Sequence, residues 1–524
     1  MTDTTTQGIS GAEAIIGTLA ECGVTACFAN PGTSEMHLVT ALDREPRIRS
    51  VLCLFEGVAT GAADGFARMA GVPALTLLHL GPGYLNGGAN IHNARRAYSP
   101  VINLIGDHAV THRAYDAPLA SDIAGLAGPN SLWMQSVDRA EDAGRLAAEA
   151  FFASYGPPAG PVSLIMPADT AWTKGASIVR GAKRPGLKAP DAAVIEDAAK
   201  AIRKAKKPAL LVNGTGLHEA GLAALSRISS AGVKVFTDTF MARHARGGGR
   251  FAPDRLPYFA EMAIETLAGT DLLLIAGTKK PVAFFAYPNT PAEFTPKDAA
   301  VISLGGPETD SAAALGMLAD ALGAPAAPAS ASWSRPEAPK DDQFNAYTIG
   351  LALAAHTPEG TLISDDGVTS GLPIYLCMQA AAPHEWLGHT GGAIGQGMPV
   401  AIGAAFARPD VKTICLAGDG AGMYTVQSLW TMAREKLDIV TIVFVNHAYR
   451  ILKIELARTG AGNPGPSANG MLSLGSPEID WVKLSEGLGV GAEACSTLPQ
   501  FNDALARAMA HRGPRLIACM IAES

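Results

Sequence analysis

The sequence predicts an α/β protein built from three consecutive α/β domains with mainly parallel sheets. Short apolar strands alternate with helix-like stretches of about 10–15 residues, which is the pattern of βαβ units. Two stretches poor in large apolar residues interrupt this alternation. The 524 residues suffice for three domains, on a prior of roughly 150 residues each.

The first block, 1–175, contains the strand candidates TACFAN, SVLCLF, ALTLLHL, PVINLIG and PVSLIM. The basic stretch TKGASIVRGAKRPGLKAPD follows and reads as a linker, because Pro, Gly and scattered charge break both periodicities. The second block, 190–330, repeats the style with PALLVNG, VKVFTDT, DLLLIAG and AAVISLG. The tract GAPAAPASASWSRPEAPKDD then reads as a second linker, too poor in large apolar side chains to pack by itself. The third block, 343–524, supplies TLISDDG, KTICLAG, DIVTIVFVN and PRLIACMIA. No fixed-period repeat is visible.

Composition excludes several classes. Hydrophobic residues make up 48% and charged residues 17%, ample for buried cores. The net charge of −7 is spread with mixed signs, so neither nucleic acid nor an anionic membrane is an expected partner. Cys22, Cys27, Cys53, Cys377, Cys415, Cys495 and Cys519 form no C-x-x-C pair and read as reduced core residues. The N-terminus MTDTTTQGISG lacks a signal-peptide pattern, and no apolar run of about 18 residues occurs. A cytoplasmic protein is expected.

The most informative stretch is ICLAGDGAGMY, residues 414–424. An apolar strand runs into Gly418, Gly420 and Gly422, as in loops that bring backbone close to a phosphate. Asp419, however, stands where a diphosphate needs positive charge. A divalent cation between them removes the conflict, since hard metals take oxygen ligands and bridge carboxylate to phosphate. A second oxygen ligand is then needed, and Asn446 ends the next strand. In a right-handed strand–helix–strand crossover, both residues emerge at the same sheet edge. Taken singly, the plainer readings are a tight turn and a strand-end cap. A dinucleotide loop fits worse, because the glycines miss the G-x-G-x-x-G spacing.

GDG followed by Asn446, 27 positions after Asp419, resembles the thiamine-diphosphate motif of 2-oxo acid decarboxylases and acetolactate synthases. The resemblance implies that Asp419, Asn446 and the Ala448 carbonyl hold Mg²⁺. It also implies that Gly418, Gly420 and Ala421 cradle the diphosphate. His447 departs from the small or amide residue of many relatives. The strand–Glu–helix pattern in VLCLFEGVATGAADGFARMAG implies that Glu56 meets the aminopyrimidine ring. By hydrogen-bonding one ring nitrogen, a buried carboxyl favours the imino tautomer, whose exocyclic nitrogen removes the C2 proton. Without the family, Glu56 reads as a helix-start residue.

Further matches concern the substrate. His79, in LTLLHLGPGYLNGG, occupies the place of an active-site histidine in benzoylformate decarboxylase-like members and is expected to move protons. A hydrogen-bonded core histidine is the plainer reading. Ser34, in FANPGTSE, is a weaker candidate for the substrate carboxylate. HTGGAIGQGMPVAIGAA implies that Ile394 wedges the cofactor into its V shape and that Gly392 offers a carbonyl to the pyrimidine amine. His108 and His112 form a tempting pair, although Tyr115 and Asp116 stand at the dyad positions of pyruvate decarboxylases. Leu452 is apolar as in benzoylformate decarboxylase-like members, Glu455 replaces the tryptophan of acetolactate synthases, and Phe285 replaces the second histidine.

These residues favour decarboxylation of a small-molecule 2-oxo acid of benzoylformate or pyruvate type, with carboligation as a second activity. An acetolactate synthase-like condensation is the near alternative. A NAD oxidoreductase and a non-catalytic cofactor binder are the rivals from other classes, and neither needs Glu56. The middle block carries either FAD or nothing; VNGTG, residues 212–216, is too short a glycine pattern to decide, and a structural turn is its plainer reading. Relatives build each site from two subunits, so a homodimer or homotetramer is expected.

Overall fold

The computed structural model of the chain describes residues 8–181, 183–325, 333–340, 343–460 and 462–522. The first seven residues of the polar N-terminus and residues 326–332 and 341–342 of the Ala/Pro/Ser tract lie outside the described residues.

Three sheets organise the chain. The first has six parallel strands in the spatial order Arg49–Leu52, Ala26–Asn30, Ala74–Leu78, Val101–Asp107, Pro161–Pro167 and Met134–Ser136. The second orders five parallel strands as Asp254–Arg255, Lys234–Thr237, Pro208–Val212, Leu272–Ala276 and Ala300–Ser303. The third orders seven as His244–Arg246, His384–Leu387, Leu362–Asp366, Thr413–Gly418, Ile439–Val445, Arg515–Met520 and Gly491–Cys495. Within it, only the His244–Arg246 pairing is antiparallel. Ile439–Val445 is buried along its whole length, as expected for a parallel strand covered on both faces.

Every quoted strand candidate forms a strand. In the three large sheets, the five that the patterning missed are Met134–Ser136, His244–Arg246, Asp254–Arg255, His384–Leu387 and Gly491–Cys495; it also missed the small pair Ile9–Ser10 and Lys174–Ala176. Most are short and rich in polar or small residues; His384–Leu387, with buried Trp386 and Leu387, is too short to show an alternation. His244–Arg246 also departs from the expected block order, since it leaves the middle block to edge the third sheet. The first linker is partly fixed as well. Lys174–Ala176 pairs with Ile9–Ser10, and Ile178 packs so close to Gly17 that a Cβ there would lie 2.6 Å from its Cδ1.

Two helices, Glu56–Ala70 and Gly397–Ala407, join the first and third sheets. Their small residues permit backbone contact: a Cβ at Gly403 would lie 1.8 Å from the Ala62 carbonyl oxygen. A shared core surrounds this crossing, including Phe28, Val58, Ile402, Val443 and Trp481. Full burial of a side chain the size of Phe28 contributes about 1.5–3 kcal/mol. All seven cysteines are free, and all but Cys22 are buried. No helix among the described residues is long and apolar enough to cross a membrane.

Candidate active site

The strands Thr413–Gly418 and Ile439–Val445 run parallel, with Gly418 opposite Phe444. They therefore end together, and Asp419 and Asn446 meet at the carboxyl edge of the sheet. Asp419 is buried and opens a short helix, Asp419–Tyr424. Its Oδ1 accepts from the Gly420 N–H and its Oδ2 from the His447 N–H, both at 2.8 Å. The carboxylate thus ties the glycine loop to the segment after Asn446. His447 adopts φ +57°, which explains why the chain departs from an ordinary turn there. Asn446 Oδ1 accepts from the Ala448 N–H at 3.1 Å. At Gly420 a side chain is impossible, since a Cβ would lie 2.4 Å from the Tyr449 ring.

Burial pushes the Asp419 carboxyl above the usual range, and backbone N–H groups from Gly420 and His447 oppose it. No lysine or arginine side chain pairs with this carboxylate among the described residues. Carboxylate, carboxamide and backbone carbonyl are all hard oxygen donors, a set that fits Mg²⁺. Among the described residues, no cluster of three or more His, Cys, Asp or Glu side chains offers a different metal site.

The segment carrying Gly392 and Ile394 lies beside this loop. Asp366, buried at the end of the adjacent strand, accepts from the Gly395 and Gly397 N–H groups at 2.8 and 3.1 Å. Desolvation raises its carboxyl too. His389 accepts from the Gly392 N–H on Nδ1 at 3.3 Å and donates from Nε2 to the Ala393 carbonyl at 3.0 Å. Gly392 is exposed with φ +84°, and Ile394 is half-buried. Sequence reasoning missed Asp366 and His389. The one available signal for Asp366 was the SDDG strand end.

Glu56 begins its helix and is only 6% exposed, with Asn86 Nδ2 donating to its Oε2 at 3.0 Å. His79 stands between the strand Ala74–Leu78 and the helix Leu80–Arg96. Its Nδ1 lies 2.9 Å from Oε2 of the fully buried Glu35 and 3.1 Å from Ser34 Oγ. Ser34 Oγ also donates to Glu35 Oε1, and the Gly32 N–H donates to Oε2 at 2.7 Å. With Nδ1–H donating to the carboxylate, Nε2 is left to exchange protons. Glu35 was missed, although it directly follows Ser34 in the quoted motif. Among the described residues, no hydrogen bond joins Glu56 to Asp419 or Asn446.

The remaining candidates are less closely tied. The His108 and His112 rings stand 5.5 Å apart. His108 lines a cavity of about 260 Å³ beside the Asp107–Arg113 ion pair. Phe285 and Tyr115 are exposed, and Glu455 accepts from the Tyr287 hydroxyl at 2.8 Å. In the middle sheet, the VNGTG turn is satisfied by its own neighbours. Ser311 Oγ accepts from the Gly216 N–H and donates to the Asn213 carbonyl, while Thr215 Oγ1 accepts from the Ala312 N–H. That turn gives FAD no support.

Comparison with known proteins agrees with this geometry. Residues 9–126 match the thiamine pyrophosphate enzyme N-terminal TPP binding domain, and residues 371–519 match the C-terminal TPP binding domain. A Mycobacterium tuberculosis protein, "Putative acetolactate synthase large subunit IlvX", is 44% identical over 515 residues, which is 98% of this chain and 99% of that one. Benzoylformate decarboxylase of Pseudomonas aeruginosa is 26% identical over 523 residues, 94% of this chain and 96% of its own. Among solved structures, a thiamine diphosphate-dependent 4-hydroxybenzoylformate decarboxylase of Rhodococcus jostii RHA1 superposes with a TM-score of 0.85 at 23% identity. That match covers 98% of this chain and all of the other, and it speaks for the fold. With both cofactor-binding domains matched and a 44% identical relative spanning the whole chain, the protein belongs to the thiamine-diphosphate-dependent enzymes.

Proposed function

We propose that the protein decarboxylates a 2-oxo acid of benzoylformate or pyruvate type, using thiamine diphosphate and Mg²⁺, with carboligation as a second activity. The observation that carries this reading is His79, clamped by buried Glu35 and Ser34 on the sheet that also presents Glu56. Such a histidine is an acid–base group held in one tautomer, which proton delivery after CO₂ loss requires.

Bound thiamine diphosphate supplies a nucleophilic C2 carbon and an electron sink for the bond that releases CO₂. The chain's own residues do the rest. Asp419, Asn446 and the Ala448 carbonyl hold the metal, and the backbone of Gly418, Gly420 and Ala421 faces the diphosphate. Ile394 supports the bend and Gly392 orients the pyrimidine amine. Glu56 shares a proton with the pyrimidine ring, and His79 gives and takes protons at the substrate.

Relatives build each site from two subunits, and on this reading the active site forms between two chains of a homodimer, which pairs further into a tetramer. Residues 1–175, 190–330 and 343–524 are the corresponding domains. Acetolactate synthesis is the second reading, favoured by the 44% identical relative and its name. Product analysis separates the two. Enzyme with cofactor, Mg²⁺ and either pyruvate or benzoylformate yields aldehyde and CO₂ on the first reading. Acetolactate from pyruvate, with no free aldehyde, refutes it in favour of the second.

A further inference from the structure

The helix Glu56–Ala70 carries more than Glu56. Two turns further on, Asp64 and Arg68 form a bidentate pair, with Nη2–Oδ2 at 2.6 Å and Nε–Oδ1 at 2.8 Å. The two side chains are 2% and 0% exposed for Arg68 and Asp64. A buried ion pair gains little stability over an apolar pair of the same volume, because desolvation offsets the attraction. Its use lies in where the remaining donors and acceptors point.

Ser99 Oγ donates to Asp64 Oδ1 at 2.5 Å and Arg68 Nη1 reaches the Ala242 carbonyl at 3.3 Å, while the other contacts converge on one segment, 388–396. Arg68 Nη1 donates to the Gly388 carbonyl at 2.8 Å, and Nη2 donates to Thr390 Oγ1 at 3.1 Å. Gln396 Nε2 donates to Asp64 Oδ2 at 3.1 Å. Thr390 Oγ1 in turn donates to the Asn93 carbonyl at 2.8 Å. The Asn93 side chain brackets Ala393, donating to its carbonyl at 2.8 Å and accepting from its N–H at 3.3 Å. The segment is thus pinned at 388, 390, 393 and 396, on either side of Gly392 and Ile394.

We infer that the Asp64–Arg68 pair, acting through Thr390 and Gln396, is a positioning device that sets Gly392 and Ile394 for the bent cofactor. The inference rests on the cofactor reading above. A guanidinium is needed because one side chain must reach Asp64 twice and the loop twice. An ammonium is a point charge and cannot keep that fork. The diphosphate and metal are held elsewhere, by Asp419 and Asn446, so affinity and bend should separate.

Arg68→Lys keeps the charge opposite Asp64 and loses the fork, while Thr390→Val removes the hydroxyl's two contacts, with Arg68 and with the Asn93 carbonyl, and leaves the ion pair whole. Three measurements read the effect: amide hydrogen exchange across 388–396 in the cofactor-free chain, calorimetric affinity for thiamine diphosphate with Mg²⁺, and the rate of C2–H exchange. The expected result is faster amide exchange in the segment, affinity within about threefold of the parent, and C2–H exchange slowed about 10–100-fold in Arg68→Lys, in line with the sensitivity of catalysis to small misplacements. Thr390→Val should move in the same direction by less. Unchanged amide and C2–H exchange in both variants overturns the inference. So does loss of affinity and C2–H exchange together with a lowered thermal midpoint, which is plain loss of fold. If the parent chain itself binds no thiamine diphosphate, the cofactor reading fails rather than this one.

Discussion

Glu56→Gln removes a shared proton while keeping the size and an acceptor of the original side chain. Asn86 Nδ2 donates to Glu56 Oε2 at 3.0 Å, and the other oxygen lies 3.3 Å from where a Cβ at Gly83 would stand. The glutamine amide fits the same space and its carbonyl keeps the Asn86 bond. Stability should therefore change by less than about 1 kcal/mol, the net worth of one ordinary hydrogen bond. Cofactor affinity should change little, because on the proposed reading the metal and diphosphate contacts fall to Asp419 and Asn446. What would be lost is the carboxyl proton that Glu56 would share with the ring of the bound cofactor, and with it the help that Glu56 would give to removal of the C2 proton. Loss of a positioned acid–base group costs about 10²–10⁴-fold, or roughly 3–5.5 kcal/mol at 1.36 kcal/mol per tenfold. The assay is deuterium exchange at C2 after acid quench, read by NMR at saturating cofactor and Mg²⁺. A variant that binds cofactor normally and exchanges as fast as the parent would show that Glu56 is only a helix-start residue.

Three further outcomes are expected. Asp419→Ala should abolish Mg²⁺-dependent cofactor binding while circular dichroism stays native; unchanged calorimetric affinity would remove Asp419 from the metal site. Light scattering under assay conditions should find a dimer or tetramer, and a fully active monomer would contradict a site shared between chains. Asp238→Asn should stabilise the cofactor-free chain at high pH. Burial pushes the Asp238 carboxyl up to about 6 against hydrogen bonds from Thr278 and Asn213, so the folded chain holds a proton that the unfolded chain releases near pH 4. Stability is then lost as pH rises from about 4 to 6, and the neutral amide avoids that loss, by up to ~3 kcal/mol above pH 6. Urea midpoints at pH 4.5 and pH 8 read it; an equal difference at both would be the wrong outcome.

The meeting of Asp419 and Asn446 at one sheet edge was legible because its signal is local. Strand, glycines, Asp419, helix and Asn446 follow one another within a single crossover, and parallel pairing places the last two at one edge without further information. Glu56, at a strand-to-helix junction, was legible for the same reason. Glu35 was not. Its role depends on the turn after one strand meeting His79 at the end of its neighbour, and on Gly106 leaving room where a Cβ would lie only 1.7 Å from its Oε1. Asp366 likewise acts on Gly395 and Gly397 across an intervening helix. The i, i+4 spacing of Asp64 and Arg68 was visible, but their target more than 300 residues away was not. His244–Arg246 shows the same limit at the level of fold, since nothing in three polar or small residues says which sheet they will edge.

A carboxylate inside a phosphate-type loop is a matter of charge balance. Asp365, Asp366 and Asp419 all stand at the carboxyl edge of one sheet, and burial raises the carboxyl of each. A diphosphate entering that edge alone would add negative charge to a site already short of compensation. Arg255 acts on Asp365 and His389 on Asp366; among the described residues Asp419 takes its hydrogen bonds from backbone N–H groups, with the His447 ring acting on its charge and no lysine or arginine paired with it. The helix that Asp419 opens is a single short stretch, Asp419–Tyr424, and a helix end offers at most about half a unit charge. A divalent cation supplies four times that at the point of contact, with oxygen ligands ready on both sides. On the proposed reading the metal would belong to the binding of the diphosphate itself, so removing the Asp419 carboxylate should cost the cofactor and not merely the rate.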